Sequence, residues 1–112
     1  MAVFSGVIVP ILTPFSRDVG QPLVAAGADP LVERLVGAGV DGLFAFGSNG
    51  EFHVSTDDER VAYTAHLVER VAGRVPVIAG VGACSTAEAV ELAKRVQDVG
   101  AAGLSVVNPY FL

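Results

Sequence analysis

The chain has 112 residues, 52% of them hydrophobic and 17% charged, which is enough apolar material for one compact core and too little length for a multidomain enzyme. Seven Lys and Arg against twelve Asp and Glu give a formal charge of −5, and no basic run is present to neutralise a phosphate backbone or an anionic membrane, so neither nucleic acid nor membrane is an expected partner. The single cysteine, Cys84, can make no internal disulfide and no Cys/His spacing suggests a metal, as expected for a chain of the reducing cytoplasm that needs no structural ion.

The opening stretch from Met1 to Phe15 is apolar, but its first basic residue is Arg17, Pro10 and Pro14 interrupt it, and it falls short of the roughly 20 residues that cross a bilayer. It reads as a strand over Val7–Leu12 and not as a leader or an anchor. Three more short apolar runs follow at Gly42–Phe46, Val75–Val81 and Gly103–Val107. None has a polar residue at every second place, the pattern of strands buried on both faces of a parallel sheet.

Helices alternate with these runs. The first is expected to start with Asp29 as N-cap and Pro30 in the first helical position, and to end near Gly37 or Gly39. The stretch between Asp18 and Ala28 does not choose between an extended loop and a loose turn. A second helix opens on Ser55-Thr56-Asp57-Asp58, a capping box with Asp in place of Glu, carries Val61, Ala65, Val68 and Val71 at helical spacing, and stops at Gly73. The third opens on Ser85-Thr86-Ala87-Glu88, turns Leu92, Val96 and Val99 to one side and Lys94 and Arg95 to the other, and ends at Gly100. The segment before Gly42-Leu43 is echoed before Gly103-Leu104, each a helix end, a glycine and a strand start, so the order is β-α three times and then β.

In parallel α/β folds ligands sit beyond the carboxyl ends of the strands. Here those ends carry Thr13-Pro14, Gly47-Ser48-Asn49-Gly50-Glu51, Gly80-Val81-Gly82 and Asn108-Pro109-Tyr110-Phe111. The Gly47–Glu51 segment suits a carboxylate, because small residues let backbone N–H groups converge while Ser48 and Asn49 add side-chain donors. It equally suits a plain strand-to-loop connection, and residue types alone do not choose. Neither GxxxxGK[ST] nor GxGxxG occurs, so a nucleotide site has no support.

Leu12-Thr13-Pro14-Phe15, Gly47–Glu51, Pro76-Val77-Ile78-Ala79-Gly80-Val81-Gly82 and Asn108–Phe111 stand in an order and at a spacing that resemble the dihydrodipicolinate synthase / N-acetylneuraminate lyase family, over nearly the whole chain. The resemblance implies a (β/α)₈ TIM barrel, a homo-oligomer built as a tetramer of tight dimers, and cofactor-free class I aldolase chemistry in which a lysine forms a Schiff base with pyruvate or a related 2-oxo acid. Carried onto this chain, it makes Ser48 the hydroxyl of a proton relay and places Ser48, Asn49, Gly47 and Gly50 in a carboxylate-binding turn. Thr13 becomes a pocket-lining residue and Glu51 a brace for the turn. Ser48-Asn49, where the common pattern has two hydroxyl residues, resembles the 4-hydroxy-2-oxoglutarate aldolase branch. Tyr110 and Phe111 fall where synthases carry two tyrosines. Tyr110 is the catalytic candidate, whereas Phe111 has no hydroxyl to relay a proton, which points to an aldolase, lyase or dehydratase relative.

A full barrel needs about 250 residues, so residues 1–112 are expected to be its N-terminal half, four strands and three helices, without the Schiff-base lysine and inactive alone. The one lysine present, Lys94, reads as a solvated surface residue. The other class of function weighed is a half-barrel binding or scaffolding protein that self-associates or pairs with a complete homologue. His53 reads as a solvent-facing loop residue, His66 as a surface or helix-packing one, Cys84 as a packed thiol and Tyr63 as part of an outer packing layer.

Overall fold

The computed structural model describes residues 4–110. Four strands, β1 (Ile8–Pro10), β2 (Gly42–Ala45), β3 (Val77–Gly80) and β4 (Gly103–Ser105), form one all-parallel sheet in the order β1-β2-β3-β4. Each parallel neighbour is reached through a helix: α1 (Asp29–Gly37), α2 (Asp57–Val71) and α3 (Thr86–Asp98). This is the expected alternation, and Gly42 and Gly103 each start a strand as the internal echo requires.

All four expected strands are present, each shorter than its apolar run. β2 stops one residue early because Phe46 turns to φ +59°, a left-handed conformation no strand contains. The ladders continue past the strand ends, with Ile11 N–H donating to Phe44 O at 3.0 Å and Val81 N–H to Ser105 O at 2.9 Å.

The helices cover one face of the sheet. Leu43, Ala45, Val77, Ala79 and Val81 point into that layer and are buried with Val32 of α1, Tyr63, Leu67 and Val71 of α2, and Leu92 and Val96 of α3. Register places Phe44 beside Ile78 on the opposite face, where both are only half-buried. Burial on both faces, expected from the unbroken apolar runs, therefore fails on that side: among the described residues no second layer lies over it. The outer strands are open as well, and Val7, Leu12, Leu104 and Val106 along them are exposed.

Two helix starts differ from the sequence expectation. The chain enters α1 through a 3₁₀ turn at Ala25–Ala28, so Asp29 is already helical and makes no cap; its carboxylate instead lies 2.6 Å from His66 Nε2 on α2. The capping box of α2 is displaced by one residue. Thr56 Oγ1 accepts from Glu59 N–H at 3.1 Å, and Glu59 Oε2 accepts from Thr56 N–H at 2.9 Å, because Glu reaches back where Asp58 is one methylene too short. Glu59 Oε1 also accepts from Leu23 N–H at 3.2 Å and ties down the loop before α1, and these backbone hydrogen bonds hold its carboxyl below the usual range. The third helix begins at the expected place, with Ser85 Oγ accepting from Glu88 N–H at 3.2 Å, but only this half of the expected capping box forms among the described residues.

On α2 the buried face is Arg60, Tyr63, Thr64, Leu67 and Val71, rotated from the expected stripe. α2 is the central helix, in contact with both α1 and α3, so Val61 and Val68 are half-buried on its flanks while the polar-looking face turns to the sheet. The region left open, Asp18–Ala28, is a turn closed by a Phe15–Leu23 bridge and then the 3₁₀ turn.

Candidate active site

At the carboxyl end of β2 the chain makes two left-handed turns at residues that carry side chains. Phe46 has φ +59° and Glu51 φ +54°, and between them Ser48–Gly50 forms one turn of 3₁₀ helix. Such conformations at non-glycine residues persist only when their surroundings hold them. Here the holding groups come from β1, β3 and α2.

Thr13, past the end of β1, is 7% exposed, and its hydroxyl donates to Gly50 O at 2.6 Å. Gly50 is buried over it, where a Cβ would sit 3.3 Å from both Ile11 O and Thr13 Oγ1. Thr13 is thus a brace for the turn, and its proton is already committed to the protein. On the other side Gly80, the last residue of β3, lets the Phe46 carbonyl approach, since a Cβ there would stand 2.1 Å from Phe46 O. Phe46 packs edge-on to Tyr63 at 5.5 Å, and Tyr63, fully buried, donates its hydroxyl to Leu12 O at 2.8 Å. Burial pushes the Tyr63 hydroxyl pKa far up, so it serves as a fixed donor.

Within the turn, the N–H groups of Gly50 and Glu51 donate to Gly47 O and Ser48 O, which leaves those of Ser48 and Asn49 outside the internal ladder. Ser48 and Asn49 are both exposed. The Glu51 side chain has no hydrogen bond or ion pair among the described residues; the bracing expected of its carboxylate comes instead from its backbone, with Glu51 O accepting from Ser55 Oγ at 3.5 Å.

A cavity of about 180 Å³ opens beside the turn, lined by Phe44, Gly47, Ser48 and Phe52 from the β2 side and by Gly80, Gly82, Ser105 and Val107 from β3 and β4, with Phe46 between. Of the expected site residues, Gly47 and Ser48 line it. Gly50 and Thr13 stand behind the turn, Asn49 is beside Ser48 on its exposed surface, and Tyr110 stacks edge-on against Phe52 at 5.9 Å. Burial chiefly, then the neighbouring Cys84, raises the Tyr110 pKa, with Arg60 opposing. Cys84 is exposed, not packed as expected, because it precedes the cap of α3 at the rim. Phe111 lies outside the described residues.

Arg60 is the residue that sequence reasoning missed. It is 4% exposed on α2, and its guanidinium donates to Gly82 O at 2.8 Å and Gly80 O at 2.7 Å. The same group stands 5.7 Å from the Phe46 ring centroid and 5.4 Å from that of Phe52. Burial pulls its pKa down, against the charges of Asp57 and Tyr110. A lone Arg inside an acidic helix start gives no signal for this; the only hint is that it recurs at helical spacing with Tyr63, Leu67 and Val71.

The remaining candidates are peripheral. Lys94 and His53 are exposed, as expected, and His66 is part of an α1–α2 clasp in which Glu33 binds Arg70 at 3.0 Å and Arg74 at 2.9 Å. Among the described residues no group of three His, Cys, Asp or Glu side chains is placed to hold a metal, and no helix is long and apolar enough to cross a membrane.

Comparison with known proteins places these features in context. A family model described as the dihydrodipicolinate synthetase family matches residues 3–112. Among curated proteins, YagE of Escherichia coli is 43% identical over 110 residues, covering 98% of this chain and 36% of that protein. The 4-hydroxy-tetrahydrodipicolinate synthase of Methanoculleus marisnigri is 40% identical over 108 residues, covering 96% and 37%. The crystal structure of YagE in complex with pyruvate superimposes with a TM-score of 0.91 at 40% identity, over 99% of this chain and 37% of that one. The chain thus spans somewhat over a third of the length of the relatives it matches, and the four-stranded sheet corresponds to the N-terminal half of their (β/α)₈ barrel.

Proposed function

Because the chain belongs to the dihydrodipicolinate synthetase family, we propose that it is the carboxylate-binding portion of a Schiff-base lyase or aldolase acting on pyruvate or a related 2-oxo acid. The carrying observation is the braced Phe46–Glu51 turn, which sets Gly47 and Ser48 against a cavity at the strand ends and leaves the N–H groups of Ser48 and Asn49 outside its own ladder. A carboxylate held there receives hydrogen bonds from N–H and O–H donors that cost little reorganisation, since Thr13, Gly80 and Tyr63 fix the turn beforehand.

In this chemistry an amine of the enzyme adds to the keto carbon and water leaves. The resulting protonated imine draws electrons from the adjacent C–C or C–H bond. Ser48 serves as a hydroxyl of the proton relay and Tyr110, across Phe52, as its neighbour; Asn49, Gly47, Gly50 and Thr13 shape and hold the carboxylate turn. The amine is not Lys94, which lies on the exposed side of α3. It belongs to a part of the barrel outside residues 1–112, and these residues alone are inactive. A homo-oligomer, as the family resemblance implies, in the reducing cytoplasm that the single Cys84 suits, completes the reading.

Incubation of the protein with pyruvate and borohydride, followed by peptide mass mapping, tests it. A reduced pyruvate adduct on a lysine outside residues 1–112, lost in a Ser48→Ala variant or formed at least about tenfold more slowly, is the expected result. An adduct on Lys94, or none on any lysine, would refute it.

The open strands favour a second reading, a half-barrel that pairs with another copy or with a complete homologue through its exposed Val7, Leu12, Leu104 and Val106. Light scattering of the 112-residue chain distinguishes it, since a stable monomer excludes pairing between copies.

A further inference from the structure

Arg60 is buried, carries a charge, and yet its Nε–H finds no acceptor, which makes it an expensive way to fill the space under the strand ends. No carboxylate forms a salt bridge with it among the described residues. What it does have is four partners, the carbonyls of Gly80 and Gly82 and the rings of Phe46 and Phe52, and all four residues line the cavity beside the turn. Two of them come from the β2 side and two from the end of β3. Both glycines are already at the limit of approach, since a Cβ on Gly82 would stand 2.6 Å from Val107 and one on Gly80 2.1 Å from Phe46 O.

We propose that Arg60 is a positioning residue for the binding site: its guanidinium fork fixes the distance between the Phe46–Phe52 segment and the end of β3, and so sets the shape in which Ser48 and the turn amides are presented. The planar fork is what the geometry uses. It donates from two nitrogens to carbonyls two residues apart while standing 5.7 and 5.4 Å from two aromatic ring centroids, and an ammonium has no such rigid fork. The identity of the ligand rests on the 2-oxo acid reading above; the positioning itself does not.

Three variants in the full polypeptide that carries these residues separate the possibilities. Arg60→Lys keeps the charge and loses the fork, Arg60→Met keeps the bulk and loses both, and Val96→Ala loosens buried packing on α3, away from the turn. Amide hydrogen exchange is followed without ligand, and pyruvate affinity by titration. In Arg60→Met, exchange at Gly50 and Glu51, the two amides bonded within the turn, is expected to accelerate about tenfold or more while Leu67 and Leu92 stay unchanged, with pyruvate affinity falling about tenfold; Arg60→Lys lies between it and the wild type. Unchanged exchange in the turn, or a uniform rise like that of Val96→Ala, would overturn the proposal. If the wild type does not bind pyruvate, the 2-oxo acid reading fails, and localised exchange still decides the role of Arg60.

Discussion

Replacing Gly80 by Ala puts a methyl group into the closest backbone crossing of the site. The added Cβ would lie 2.1 Å from Phe46 O and 2.8 Å from Phe46 C, about 1.3 Å short of the 3.4 Å at which ordinary contact begins. Neither atom belongs to a side chain that can rotate away. Phe46 is held by a left-handed φ of +59° and by what its ring meets, the Tyr63 ring at 5.5 Å and the Arg60 guanidinium at 5.7 Å. The end of β2 must therefore move as a unit, breaking the Arg60 contact to Gly80 O. Overpacking of this kind costs about 3 kcal/mol or more, which lowers the melting midpoint of a domain this size by roughly 10–20 °C. Gly37 at the end of α1 supplies the control: a Cβ there meets nothing within 4 Å, its φ is not positive, and Gly37→Ala should stabilise by about 0.5–1 kcal/mol. Urea and thermal unfolding of both variants read the two signs. A Gly80→Ala protein within about 0.5 kcal/mol of the wild type would show that the turn is not pinned against β3, and the account of the site would fall with it.

Tyr63→Phe removes the hydroxyl that ties α2 to Leu12 O and should cost about 1 kcal/mol by denaturant titration, with no change in secondary structure. Because burial raises the Tyr63 pKa, the folded state binds that proton more tightly than the unfolded state, so its contribution is complete below pH about 10 and is lost above it; the alkaline limb of unfolding should shift in Tyr63→Phe. Glu33 works in the opposite direction. Its hydrogen bond to Arg74 lowers its pKa from 4.5 to about 2, so the stabilisation of the α1–α2 clasp is present above 4.5 and disappears as pH falls toward 2. In Glu33→Gln the stability difference from wild type should narrow through that window, and it should also shrink in high salt because the clasp is exposed.

The alternation of strands and helices was legible because it is written in local signals: apolar runs of strand length, a serine cap three residues before a glutamate, glycines just past helix ends. Those signals located β2, β3 and α3 to within two residues at each boundary. Boundaries were missed where a second local solution was available one step away. Thr56 took the cap from Ser55 because Glu59 and not Asp58 has the reach, and Asp29 gave up its cap because Ala25–Ala28 had already begun to coil. The motif positions around the site were legible too, since glycine and hydroxyl residues collect where a chain must turn at a strand end.

The support of the site was not legible, and the reason is geometric. Arg60 lies 9 to 12 residues from Glu51 and Ser48 along the chain but meets the site only after α2 folds back over the sheet, and its partners are two backbone carbonyls and two aromatic rings, none of which leaves a mark in residue type. Gly80 and Gly82 read as members of a turn motif, although what constrains them is contact with Phe46 and Val107 more than twenty residues away. Thr13 illustrates the same limit from the other side. The family resemblance made it a pocket-lining residue, while its hydroxyl, 2.6 Å from Gly50 O, is spent on the turn. A strand-end motif therefore points to the cavity more directly than to the side chains that line it, and on the proposed reading substitution of the bracing residues should disturb pyruvate binding as much as substitution of the residues that face the cavity.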